Sequence, residues 1–175
     1  MRPKAAQSTR VRPVARRRDE TELEFRRARE GEVAELSALA WASKAHWGYP
    51  VAWLEAWRSH LTITRATLAA EHVVVAEAGA TAEVVGFFSL RSERGGWWLE
   101  HCWLRPEVIG QGWGRRLVEE MARRARALGA CEVRFTADPH AEGFYLKMGA
   151  ERIGVDRYFL LGTVARELPL MRLPV

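Results

Sequence analysis

The chain has few cysteines, no long apolar run and no acid among its first eighteen residues, and each shortage removes a class of function. Only Cys102 and Cys131 occur, and neither stands at the spacing of a metal or redox motif, so both read as buried free thiols in apolar strand segments. His46, His60 and His72 also lack ligand spacing, and no metal is expected. The longest apolar stretches, such as residues 72–76, fall far short of the roughly 20 residues that a membrane-spanning helix needs. The basic start is followed by no apolar segment with a small-residue cleavage site, so no secretory leader is expected and a cytoplasmic location is the default.

The missing acids make the charge uneven. Residues 1–18 hold seven Lys and Arg, and taking these from the formal net charge of +5 leaves −2 for the remainder. A basic arm on a nearly neutral body, without a basic face or a reading motif, does not make a specific nucleic-acid binder. The expected organisation is an arm, residues 1–20, and one domain, residues 21–175. With 48% of 175 residues apolar, the chain is hydrophobic enough to fold and long enough to bury one core.

Periodicity orders the elements. Residues 21–29 alternate as a strand, and residues 31–46 and 51–61 carry apolar residues at helical spacing, joined by Trp47-Gly48-Tyr49-Pro50. Three β-rich runs follow, residues 72–78, 84–91 and 97–104, separated by glycine-bearing turns. The clearest helix places Leu117, Val118, Met121, Ala125 and Leu128 on one face, with Arg and Glu opposite and Gly129 as a stop. Residues 131–136 read as a strand, 141–148 as a short helix, and 153–160 and 168–173 as final strands. This order predicts a mixed α/β (α+β) fold: a twisted, mostly antiparallel sheet of six to seven strands with helices on both faces.

Between the third β-rich run and the long helix lies Ile109-Gly110-Gln111-Gly112-Trp113-Gly114-Arg115. Glycines ahead of a helix start let backbone N–H groups approach an anion, which the helix dipole also favours. The spacing is neither a dinucleotide fingerprint, which would need glycine at position 115, nor a P-loop, since no Gly-Lys-Ser/Thr occurs. Gly112-x-Gly114-x-x-Leu117, after a strand and Arg105-Pro106-Glu107, resembles the pyrophosphate loop of the acetyl-CoA-dependent N-acetyltransferase superfamily, GNAT. A second segment, residues 138–150, resembles that superfamily's N-x-x-A-x-x-x-Y-x-x-x-G-F signature, with Ala141, Tyr145 and Gly149 in register. The resemblance spans residues 21–175, with three departures: Ile109 for Gln or Arg, Asp138 for Asn, and Ala150 for Phe.

The resemblance implies acetyl-CoA as cosubstrate, held by Ile109 to Arg115, by Asp138, Ala141 and Tyr145, and by Cys102, Trp103 and Leu104 on a strand that splays from its neighbour. It also implies that Tyr145 protonates the departing thiolate. For the base, alternation places Glu100 on one strand face with Trp98 and Cys102, an apolar setting that would raise its pKa, with His101 on the other face as the alternative. Ser43, Lys44, Trp47 and Tyr49 lie where the family places its acceptor helices and are the candidates for binding an amine acceptor. Trp53 and Trp57, four residues apart, read as helix packing.

The expected activity is transfer of acetyl to a primary amine of a small molecule or protein, directly within a ternary complex. A non-catalytic acyl-CoA sensor on the same fold is the first alternative, and a nucleic-acid binder acting through the arm the second. The acceptor, the acyl length and the oligomeric state, a homodimer included, stay open.

Overall fold

The apolar runs of the middle third fold as an antiparallel meander, β2 (His72–Ala78), β3 (Val84–Glu93) and β4 (Gly96–Leu104), in the computed structural model, which describes residues 23–79, 81–93 and 95–175. The basic arm and the first two residues of the predicted first strand lie outside the described residues. β1 (Leu23–Arg27) pairs with β2, and β5 (Glu132–Thr136), β6 (Glu151–Leu160) and β7 (Val164–Pro174) complete one seven-stranded sheet in the order β1-β2-β3-β4-β5-β7-β6. Every neighbouring pair is antiparallel except β4–β5. The mixed fold expected from element order is therefore the fold observed.

Each face of the sheet buries its own core. On one face α5 (Trp113–Ala127) lays Leu117, Val118, Met121 and Ala125 against Phe88, Leu90, Val133 and Met171. Burying side chains of this size contributes roughly 1.5–3 kcal/mol each. On its exposed side Glu120 pairs with Arg123 and Arg124, and Gly129, at φ +88°, turns the chain away from the helix. The other face is covered by α1 (Val33–Ala45), α2 (Val51–Ala56) and α3 (Arg58–Leu61), whose Leu36, Leu39, Leu54 and Leu61 pack on Val73, Val75 and Phe87.

Three expectations need correction. The helix read over residues 51–61 is broken at Trp57, whose backbone leaves helical geometry at φ −90°, ψ 0° while its buried indole donates to Tyr158 Oη at 3.1 Å. An unread helix, α4 (Arg65–Ala70), follows; it buries no residue, so it carries no apolar stripe, and it rests on the Thr64 cap, which accepts from the Thr67 N–H at 3.1 Å. Cys131, expected to be buried, is exposed because it sits in the link ahead of β5 rather than within the strand.

Candidate active site

β4 and β5 run parallel for only two residue pairs, Trp97↔Val133 and Trp98↔Arg134, and then part. The end of β4 leans instead on β3, where Gly86 allows the close approach: a Cβ there would stand 2.8 Å from the Trp103 carbonyl oxygen. Within β4 the register jumps, with Ser89 opposite His101 and Leu90 opposite Leu99, so that Glu100 is an extra, unpaired residue. Beyond this bulge the two faces exchange parity. Leu99, Cys102 and Leu104 join the α5 core, and Trp103 joins the core under α1 and α2, with His101 against Phe87.

The bulge overturns the predicted setting of Glu100. Its carboxylate does not share an apolar face with Trp98 and Cys102; it stands in the open and accepts two hydrogen bonds from Arg91, at 2.7 and 3.0 Å. It does border the gap between the strands. His101 is buried on the far face, where desolvation and then His60 push its pKa down to about 4, and its Nδ1 accepts from Trp103 Nε1 at 3.1 Å. The lowered pKa favours the neutral imidazole and makes it a weak proton acceptor.

The parting of the strands opens a cavity of about 470 Å³. Ile109, Gly110, Gly112, Gly114 and Arg115 line it from the turn ahead of α5. Gly110 and Gly112 sit at φ +84° and +86°, where a side chain is disfavoured, and no side chain caps the helix that starts after Gly112. At Gly114 a Cβ would meet the Phe144 ring at 3.4 Å, an ordinary contact. Two residues of this run point elsewhere. Gln111 donates to the Glu107 carbonyl at 2.6 Å, and Trp113 packs into the α5 core.

Cys102, Trp103 and Leu104 line the cavity from β4, Ala141 and Tyr145 from the start of α6 (Glu142–Lys147) and the turn before it. Tyr145 is buried against Phe135, with ring centroids 4.5 Å apart, and its phenol is within hydrogen-bonding reach of the Cys102 thiol. Burial, then the Cys102 sulfur, holds the phenol's pKa well above its usual value, while burial raises that of Cys102 to about 11. Both groups stay protonated at neutral pH, which leaves Tyr145 a donor and Cys102 a poor nucleophile.

The remaining wall is built by Ser43 and Trp47 at the end of α1 and by Asp138 and His140 after β5. Lys44, near the end of α1, is enclosed: its Nζ lies 2.5 Å from Asp138 Oδ2 and 4.5 Å from the centroid of the Trp57 ring. Tyr49 Oη donates to the same carboxylate at 3.0 Å, and the His140 backbone N–H binds it at 2.9 Å. Desolvation would raise the Asp138 pKa, but Lys44, His140 and Tyr49 outweigh it and hold it below the usual carboxylate range. Tyr49 is pushed up to about 12, first by burial and then by Asp138. Trp47 stacks on the His140 ring with planes parallel and centroids 5.1 Å apart.

Of the four acceptor candidates, Lys44 and Tyr49 are brought together through Asp138, which the family resemblance assigns to the cofactor, while Ser43 and Trp47 line the cavity beside it. Sequence reasoning missed Arg166, whose guanidinium lies over the Trp53, Tyr49 and Trp57 rings, at 4.8, 5.4 and 5.8 Å. Its position on β7 is more than a hundred residues from those rings, and no local pattern announces it. Among the described residues no three His, Cys, Asp or Glu side chains converge as a metal site.

The sequence profile of the acetyltransferase (GNAT) family matches residues 30–150. Among solved structures, the GCN5-related N-acetyltransferase (aminotransferase, class-II) of Rhodopseudomonas palustris superposes with a TM-score of 0.73 at 20% identity, covering 90% of this chain and 98% of the other. PaiA N-acetyltransferase of Thermoplasma acidophilum, solved with coenzyme A, gives 0.65 at 18% identity over 89% and 100%. YncA of Salmonella typhimurium, solved with its cofactor acetyl-CoA, gives 0.61 at 19% identity over 88% and 94%. At these identities the likeness establishes the fold. No curated protein sequence matches the chain.

Proposed function

Because this chain belongs to the acetyltransferase (GNAT) family, we propose that it transfers the acetyl group of acetyl-CoA to a primary amine, directly within a ternary complex. The observation that carries the reading is the parting of β4 from β5, which opens a cavity bordered both by the left-handed glycine turn and by the Lys44–Asp138 cluster. The residues present fit the cosubstrate: Gly110 and Gly112 leave the backbone bare at an uncapped helix start, and exposed Arg115 adds positive charge for a pyrophosphate. Gln111 and Trp113 serve by shaping the turn. The unpaired edge of β4 at Cys102, Trp103 and Leu104 offers backbone groups to the pantetheine arm and to the thioester oxygen.

Acetyl-CoA supplies the activated acyl group and the thiolate that leaves. Around it the chain's residues divide the proton work. Glu100, at the rim of the gap, takes the proton that the incoming ammonium must lose, through water where the two are not in contact. Tyr145 donates to the sulfur as the C–S bond breaks and the N–C bond forms. The raised pKa of Cys102 supports direct attack by the amine over an acyl-cysteine.

Thiol release from acetyl-CoA, measured across a panel of primary amines beside thermal melting with and without acetyl-CoA, tests the reading. Turnover with at least one amine and a raised melting temperature are expected. Stabilisation without turnover for any amine would make the chain a sensor, and no stabilisation would remove the cofactor assignment.

A further inference from the structure

Among the described residues, Arg166 is a cation without an anion. Its guanidinium faces three aromatic rings, its one hydrogen bond is to the Tyr49 hydroxyl at 3.4 Å, and its buried Nε has no partner among the described residues. The carboxylate nearest along this network, Asp138, is already engaged by Lys44, Tyr49 and the His140 N–H. Glu167, next in sequence, pairs with Arg157, and Glu55 on α2 pairs with Arg58. Two cations, Lys44 and Arg166, therefore share one aromatic enclosure with a single carboxylate, which leaves one positive charge uncompensated.

The tryptophan and tyrosine faces engage the guanidinium plane and not its donors; with Nε buried and one donor on Tyr49, the edge left for a ligand is the Nη1/Nη2 end. That edge is suited to a planar two-oxygen anion, which it binds with paired hydrogen bonds. Arg166 stands one hydrogen bond behind Tyr49, and Tyr49 one hydrogen bond behind the cavity-lining Asp138.

We propose that Arg166 is the carboxylate-binding residue of the acceptor site, so that the acceptor is an amine that also carries a carboxylate, such as an amino acid. This rests on the acetyl-transfer reading and specifies its substrate class. The uncompensated charge attracts such an acceptor and repels polyamines, while Trp47, Trp53 and Trp57 give its side chain an apolar surround. Tyr49 then couples the two subsites: its hydroxyl receives from Arg166 and donates to Asp138.

The test compares L-methionine, L-phenylalanine and L-glutamate, each beside its own primary amide, with spermidine as the polycationic contrast. Initial rates are read by thiol release, and binding without turnover by tryptophan fluorescence, since Trp53 and Trp57 border Arg166. At least one acid is expected to bind and react with kcat/KM tenfold or more above its amide. Arg166→Gln should erase that preference by raising the KM of the acid while leaving the KM of acetyl-CoA unchanged, and Arg166→Lys, which keeps the charge, should restore part of it. Equal rates for acid and amide, a preference for spermidine, or the absence of binding and turnover for every acid overturns the proposal. Acetyl-CoA binding with turnover of amides alone would leave the acetyl-transfer reading standing, so the two fail separately.

Discussion

The cavity joins two regions that are held in opposite ways. The turn and helix proposed for the cofactor, Gly110 to Ala127, owe their shape to backbone geometry and apolar packing: two left-handed glycines, a third glycine beside the Phe144 ring, and a helix face buried in one core. The acceptor side is held by side-chain charge and ring contacts, with Lys44, Asp138, Tyr49 and Arg166 bonded across three distant segments. In the function proposed, backbone geometry would fix a site for a cosubstrate that an entire family shares. Side-chain bonds can be exchanged without disturbing the sheet, and they specialise the site.

If that contrast holds, the largest effect belongs to the acceptor-side ion pair. Lys44→Met leaves the Asp138 carboxylate enclosed without its cation, and the loss of stability should be on the order of 3 kcal/mol, read by denaturant unfolding. Asp138 titrates below its ordinary value in the folded chain, so the pair's contribution is present above about pH 4 and is lost as pH falls through the folded value. The deficit of the variant should therefore narrow on acidification.

Tyr145→Phe sharpens the contrast from the chemical side. It should keep the fold and acetyl-CoA binding, since the ring packs on Phe135 through its faces, while lowering kcat by roughly 10²-fold. A nearly fully active variant would move the proton donor to water.

Next comes Gly112→Val, which forces a β-branched side chain into φ +86° and crowds the amides of the turn. Acetyl-CoA affinity should fall about tenfold or more, seen as a shrunken ligand-induced melting shift, whereas affinity for the acceptor should change little. An undiminished shift in a folded variant would detach the turn from the cofactor.

The smallest effect is expected from Trp47→Ala. Losing the stack on His140 should raise the acceptor KM by roughly three- to tenfold, the scale of one aromatic pair, and leave the KM of acetyl-CoA near its wild-type value. Equal changes in both would make the stack a general packing element.

The same contrast explains what the sequence disclosed. Gly110, Gly112, Gly114 and Tyr145 lie within one strand, turn, helix or signature, where spacing along the chain is spacing in the fold. Lys44 meets Asp138 across 94 residues and Arg166 meets Tyr49 across 117, and no periodicity links such pairs. The sheet was legible because the β-rich runs over residues 72–104 and the turns between them are local, yet the alternation rule misplaced Glu100, for it assumes an unbroken ladder and a bulge leaves no mark in composition. The helix at Arg65–Ala70 was invisible for a different reason: it is six residues long and only Leu68 leans on the core, too little to make an apolar stripe.

The bulge at Glu100 separates the identity of a residue from its length in the chain. Replacing the side chain at that position alters one ion pair with Arg91; removing the residue would restore plain alternation through the end of β4. Leu99 and His101 would then be chain neighbours on opposite faces, as they already are across the bulge, so Cys102 and Leu104 would keep the side that meets Tyr145. Position 100 should accordingly tolerate both substitution and deletion in folding terms, because the extra peptide unit stands outside a ladder whose flanking residues already alternate.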